Sequence, residues 1–183
     1  MGMRDSMESD EKLIDLANKG DAEAFETLYY RYRDWVYHLA WRFTGNQEDA
    51  LDVLQETFAY LLKKFPGFQL TASMTTFLYP VVKHISLTIR RRSRPHVSAD
   101  EVLSEIAAYA SEDTPDVRVE LAAVLRELPA EQREILLMRF VDDMSMEEIA
   151  GALNIPLGTV KSRLHNALHK LRQDHRARDY FLE

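Results

Sequence analysis

Apolar residues recur at steps of three and four along almost the whole chain, a period that admits helices and leaves no stretch alternating as a strand would. From Ala22 to Phe43 the positions Phe25, Leu28, Tyr29, Tyr32, Trp35, Val36, Leu39 and Phe43 follow it, which predicts a helix with one buried face. Gly45 closes that helix, because glycine enters the left-handed region cheaply. Asn46 is placed to cap the next one, with Glu48 and Asp49 favourable in its first turn. This second helix is expected to run to about Phe65, to bury Ala50, Val53, Leu54, Phe58, Leu61 and Leu62, and to stop at Pro66-Gly67.

After a loop rich in Phe, Gln, Thr and Ser, a further stripe of Leu78, Val81, Val82, Ile85 and Ile89 predicts a helix over about 75–92. Pro80 lies inside it; proline lacks the backbone donor and clashes with the preceding turn, so this helix either starts just before Pro80 or kinks there. Residues 93–115 carry Pro95, Pro115, several Ser and Ala and an acidic run, although Val102, Leu103 and Ile106 can support a short helix. That composition marks a domain boundary. Beyond it, helices are expected over about 116–127, 130–141, 146–153 and 159–174, with Ser145 and Glu148 forming a capping-box pattern at the head of the third. The expected fold class is all-α: two small helical domains, 1–94 and 116–183, joined by a linker over 95–115, with a helix-turn-helix in the C-terminal domain.

Composition narrows the function. With 46% hydrophobic and 29% charged residues the chain can bury a core, and the absence of cysteine excludes disulfides, thiolate metal sites and cysteine nucleophiles. No apolar h-region opens the sequence, and no run reaches the roughly 18 apolar residues of a membrane span. A cytoplasmic protein without membrane insertion is expected. The net charge of −7 hides an uneven distribution. Lys83, Arg90, Arg91, Arg92 and Arg94 form one acid-free island; Asp100, Glu101, Glu105, Glu112, Asp113 and Asp116 follow without a base; and residues 159–178 hold six Lys or Arg against Asp174 alone.

That last island lies on the helix expected after Asn154 to Leu157. Val160, Leu164, Leu168 and Leu171 line one face, and Ile149 and Leu153 of the preceding helix supply the matching apolar surface. Two short helices joined by about four residues, with Gly158 next, form the helix-turn-helix pattern. Its second helix enters the DNA major groove. Opposite the leucines lie Lys161, Ser162, His165, Asn166 and His169; Lys donates to guanine, Asn pairs with adenine through two bonds, and Ser suits either. Arg163, Lys170 and Arg172 lie on the flanks, where phosphates run.

The stretch "LPAEQREILLMRFVDDMSMEEIAGALNIPLGTVKSRLHNALHKLR", 128–172, resembles the fourth conserved region of bacterial sigma factors, and "FETLYYRYRDWVYHLAWRFTGNQEDALDVLQETFAYLLKKF", 25–65, resembles their second region. Two regions in this order with a short connection are similar to the extracytoplasmic-function (ECF) group of the sigma-70 family. The resemblance implies a transcription initiation factor, often serving stress responses, with no enzymatic activity and no cofactor. It binds core RNA polymerase at the clamp helices and flap, directs it to promoter −10 and −35 elements and helps open the strands, under an anti-sigma factor that covers the binding faces.

The same resemblance assigns sites. Polymerase docking falls on Asp49, Asp52, Gln55, Glu56 and Phe58; the spacing of Asp49, Asp52 and Glu56 also makes them one acidic stripe. Contact with the −10 element, where a base is flipped from the non-template strand, falls on the loop 66–76 and the helix after it. Phe68, Gln69, Ser73, Thr75 and Thr76 supply polar groups and apolar walls, and Lys83, His84, Arg90, Arg91 and Arg92 lie along that helix. Phe65 and Phe77 are read as packing residues. Contact with the −35 element falls on Thr159, Lys161, Ser162, Arg163, His165, Asn166 and Lys170. The chain departs from the family in Phe77 for the usual Trp, Lys83-His84 for the frequent Arg-Asn, and Pro80; these departures bear on base preference at the −10 element, not on strand capture.

Two other readings compete. A stand-alone helix-turn-helix regulator predicts a two-fold-symmetric operator with half-sites about one helical turn apart. An enzyme or metal-dependent nuclease with a DNA-binding tail needs a constellation that is not visible: His165 and His169 have no third ligand, and neither a Gly-rich phosphate loop nor a nucleophile signature occurs. Glu183 follows soon after the recognition helix, so no appended sensor domain is expected.

Overall fold

The computed structural model describes residues 8–93 and 123–174. The chain divides into two compact units, 1–93 and 94–183. The described residues are helices and their connections, without a strand. The expected linker 95–115 and the expected helix start at 116 lie outside the described residues, while residues 123–127 are helical.

The first unit holds four helices: α1 (Asp10–Asn18), α2 (Ala22–Thr44), α3 (Gln47–Leu62) and α4 (Met74–Ser93). Helix α1 was not anticipated, being short and burying only Leu13, Ile14 and Ala17. Ser9 caps it, accepting from Lys12 N at 3.4 Å. Within that cap the Glu11 carboxyl is held below the ordinary carboxylate value by its own backbone N–H and by the Ser9 hydroxyl, both of which favour the charged form. Asp10 ties the start of α1 to α2: Oδ1 meets Arg31 Nη1 at 2.5 Å, and Oδ2 accepts from the Tyr32 hydroxyl.

Helix α2 ends as expected at Gly45, which adopts φ 75° and donates to Trp41 O at 2.8 Å. Asn46 caps α3, its Oδ1 accepting from Asp49 N at 2.8 Å. Between the helices, Leu28, Val36, Leu39, Val53, Leu61, Leu78, Tyr79 and Val82 are buried, and burying an aliphatic or aromatic side chain contributes about 1.5–3 kcal/mol.

Three expectations need correction here. Helix α3 stops at Leu62, not about Phe65, because the chain tightens into a turn in which Lys64 N donates to Leu61 O and Phe65 N to Leu62 O. Leu62, expected inside, is 53% exposed. Pro80 does not mark a helix start: α4 begins six residues earlier, at Met74, and continues through it. Pro80 is exposed, on the outer side of the helix, where a proline ring displaces no core side chain. The capping residue of α4 is Ser73, whose Oγ accepts from Thr76 N at 3.2 Å.

The second unit contains α5 (Ala130–Phe140), α6 (Met146–Leu153) and α7 (Leu157–Gln173). Val124, Leu125, Leu128, Leu136, Leu137, Ala167 and Leu171 form one core cluster, with Val141, Leu164 and Leu168 packed against it. Ile135, Met138, Met144, Ile149 and Val160 are also buried. The capping box at α6 forms as the sequence predicts: Glu148 N donates to Ser145 Oγ at 3.2 Å and Ser145 N to Glu148 Oε2 at 2.8 Å.

The turn between α6 and α7 is shorter than expected. Asn154 takes the left-handed conformation, φ 51° and ψ 49°, and closes α6; Pro156 then opens α7 at Leu157. Gly158 therefore lies in the first turn of α7 and not in the connection. Proline's fixed φ near −65° suits this entry, and Asn is one of the few residues that tolerate the left-handed well.

Candidate nucleic-acid interface

Helix α7 presents a continuous polar face. Val160, Ala167 and Leu171 are buried, which turns Lys161, Ser162, His165, Asn166, His169, Lys170 and Arg172 to solvent. No Asp or Glu interrupts Leu157–Gln173. The imidazoles of His165 and His169 stack with centroids 6.4 Å apart. The Ser162 hydroxyl donates to Thr159 O at 3.0 Å, so it faces outward as an acceptor. Thr159 is only partly exposed. Arg163 is placed differently from its neighbours: its Nη2 meets Glu131 Oε2 of α5, which ties the guanidinium to its own unit.

On α3, Asp52, Gln55 and Glu56 are exposed and lie on adjoining turns. Asp49 is partly buried, and its Oδ2 accepts from Asn46 Nδ2 at 2.8 Å, so this carboxylate also serves the helix cap. Phe58 does not belong to that surface. It is 6% exposed and packs edge-on against Tyr29, centroids 4.7 Å apart, so it has little area to offer a partner. The same helix exposes Leu51 and Tyr60, which sequence reasoning did not single out. A leucine or tyrosine on a polar face carries no mark in the sequence until neighbouring burial fixes the helix rotation.

The connection from α3 to α4 is an aromatic nest. Phe65 packs against Phe25 at 5.8 Å and Phe68 at 5.5 Å; Phe77 packs against Phe68 at 4.9 Å. Phe68, read as a wall for a flipped base, is 7% exposed, and its ring is a core group because Phe65 and Phe77 enclose it. Gln69 is exposed. Ser73, Thr75 and Thr76 are brought together, Ser73 Oγ lying 2.9 Å from Thr75 Oγ1 and 2.8 Å from Thr76 Oγ1. Tyr60 stacks beside Phe77 at 6.5 Å, with Lys64 Nζ 4.6 Å over its ring, adding an exposed aromatic face and a cation at the edge of the loop.

Along α4, His84, Arg91 and Arg92 are exposed and Lys83 is partly so. Arg90 is placed differently, its Nη1 donating to Phe43 O at 3.3 Å across to the end of α2. Its guanidinium is thereby engaged in holding the bundle. Among the described residues no group of three His, Cys, Asp or Glu could hold a metal ion, and no helix is long and apolar enough to cross a membrane.

Comparison with known proteins bears on both units. Residues 28–106 match the family described as Sigma-70 region 2, and residues 118–171 match Sigma-70, region 4. The chain belongs to the sigma-70 family, in its ECF group. Among relatives of this ECF factor, the ECF RNA polymerase sigma factor SigW of Bacillus subtilis is 28% identical over 180 residues, covering 88% of this chain and 94% of the relative. The RNA polymerase sigma-H factor of Pseudomonas aeruginosa is 28% identical over 176 residues, covering 88% and 91%. Among solved structures, CnrH in complex with the cytosolic domain of CnrY superposes with a TM-score of 0.66 at 22% identity, covering 89% of this chain and 94% of that one, which establishes a shared fold. The ECF factor's all-α, two-domain architecture accords with its two matched regions and with the superposed structure.

Proposed function

We propose that this ECF sigma factor engages core RNA polymerase through Asp52, Gln55 and Glu56 of α3 and directs it to promoters by two separate DNA contacts. Helix α7 reads the −35 element with Lys161, Ser162, His165, Asn166 and Lys170. The segment from Gln69 to Thr76, with Lys83, His84, Arg91 and Arg92 of α4, holds the unpaired −10 strand. Arg163 and Arg90 act mainly as ties within their units, and Phe58 and Phe68 as core that positions the neighbouring polar groups.

One observation carries this reading: a single chain combines an acidic exposed face on α3 with an acid-free, cation-bearing exposed face on α7. The first suits a basic protein partner and the second suits DNA. With a net charge of −7 the chain lacks the basic excess for tight binding to DNA alone. Fixing two modest DNA-reading modules on one polymerase raises their effective concentration at the promoter. The chain supplies recognition, not catalysis, and works in the cytoplasm, where polymerase and promoter meet. The acidic linker passes through polymerase channels suited to nucleic acid. Because the sigma factor RpoE of Bartonella quintana, which shares this fold, was solved with the anti-sigma factor NepR, an anti-sigma factor covering α3 and α7 is proposed as the control of this chain.

The test is reconstitution. Purified chain added to core polymerase should give run-off transcripts from a subset of genomic fragments, and core alone should give none from them. Transcription that is the same with and without the chain would overturn the reading.

A further inference from the structure

Asn18, the last residue of α1, lies ahead of the matched residues 28–106 and reaches across the unit to the loop between α3 and α4. Its Oδ1 accepts from Gly67 N at 2.7 Å and from Phe68 N at 3.0 Å, while its Nδ2 donates to Phe68 O at 2.8 Å. Two N–H groups converging on one amide atom and a carbonyl facing the other fix which atom is oxygen. The side chain therefore substitutes for a strand partner over one dipeptide.

That dipeptide needs such support. Residues 66–72 make no backbone-to-backbone hydrogen bond with another described residue. Gly67 has φ 100°, a conformation that glycine alone adopts without strain. Immediately after it the chain must bury Phe68 among Phe65 and Phe77 and turn Gln69 out to solvent. The Asn18 amide is thus the polar anchor at the point where the loop divides into an inward ring and an outward amide.

We propose that Asn18 is a positioning residue for capture of the unpaired promoter strand: it holds the Gly67-Phe68 backbone so that Gln69 and the Ser73–Thr76 hydroxyls face the strand together. The inference rests on the reading of this loop as the −10 contact. Positioning groups act by pre-ordering, so their loss weakens capture without removing any direct contact.

The experiment uses the full chain assembled with core polymerase and, as probe, a single-stranded non-template oligonucleotide carrying the −10 element of a promoter that the chain directs. Asn18→Ala should weaken oligonucleotide binding on the order of tenfold, the scale set by losing three hydrogen bonds of a partly buried amide, and leave association with core polymerase unchanged. Asn18→Asp keeps the acceptor for both N–H groups but turns a second carboxylate oxygen toward the Phe68 carbonyl where Nδ2 donated, so it should recover binding only in part, to between the alanine variant and wild type. Asp10→Ala, which loosens the other end of α1 and lowers thermal stability, should leave strand binding unchanged.

If Asn18→Ala binds the oligonucleotide like wild type while Gln69→Ala with Thr76→Ala does not, the role of Asn18 is overturned and the capture loop stands. Equal losses from Asp10→Ala and Asn18→Ala also overturn it, since general softening of the unit then explains both. If the wild-type holoenzyme shows no preference for the −10 strand, or the Gln69, Thr76 double variant keeps it, the capture-loop reading itself fails and takes this proposal with it.

Discussion

Glu131 on α5 grips Arg163 on α7, carboxylate Oε2 against guanidinium Nη2, so a cation beside the groove face is engaged within its own unit. The pair is partly solvated, with Arg163 at 29% and Glu131 at 68% side-chain exposure, and pairs of this kind contribute less than about 1 kcal/mol to stability. Its consequence concerns DNA. Arg163→Ala should lower promoter affinity less than Lys161→Ala, for which a loss of about 1–3 kcal/mol is expected if it meets a base edge. Fluorescence anisotropy of holoenzyme on a labelled promoter, repeated across a salt series, checks the order.

The exposed acids of α3 should matter to the partner and not to the fold. Asp52→Lys with Glu56→Lys should abolish co-purification with core polymerase while leaving the unfolding midpoint close to wild type. Asp49 differs, because its carboxylate also meets the capping side chain Asn46; Asp49→Ala should lower stability by up to about 1 kcal/mol. Denaturant unfolding and a pull-down separate the two effects.

Phe58 should behave in the opposite way. Packed against Tyr29 at 4.7 Å, it is a core residue whose replacement by alanine should cost about 3–5 kcal/mol. Gln55→Ala, three residues earlier and exposed, should leave unfolding unchanged and weaken polymerase binding. Should Phe58→Ala fold normally and lose only polymerase binding, the packing assignment is wrong.

The α6–α7 connection depends on a left-handed residue, Asn154 at φ 51°. Asn154→Ala should destabilise the second unit by about 1–2 kcal/mol, whereas Asn154→Gly should be close to neutral. Circular dichroism melts of the two variants provide the comparison.

Local chemistry was legible in the residues, and long-range contact was not. Gly45, Asn46 and the Ser145–Glu148 box each act on chain within a turn of themselves, so a single sequence discloses them. Leu62 was misplaced because apolar character alone does not decide where the inward face of α3 ends; the burial of Phe58 follows from the spacing and conflicts only with the docking role that the resemblance gave it. Pro80 broke no helix because its neighbours Leu78, Tyr79 and Val82 are all buried, and packing outweighs one missing hydrogen bond. Arg163 and Arg90 could not be told from their neighbours, because nothing within a turn of either discloses its reach to Glu131 or to Phe43. Asn18 gave no signal, its partners lying some fifty residues away.

The central claim is that the two helical units address a promoter together, through polymerase. Footprinting of one promoter with the chain alone, with core polymerase alone and with both tests it most directly. Protection of two dissimilar elements in direct arrangement is expected only when both are present. Protection of a two-fold-symmetric site by the chain alone would contradict the claim.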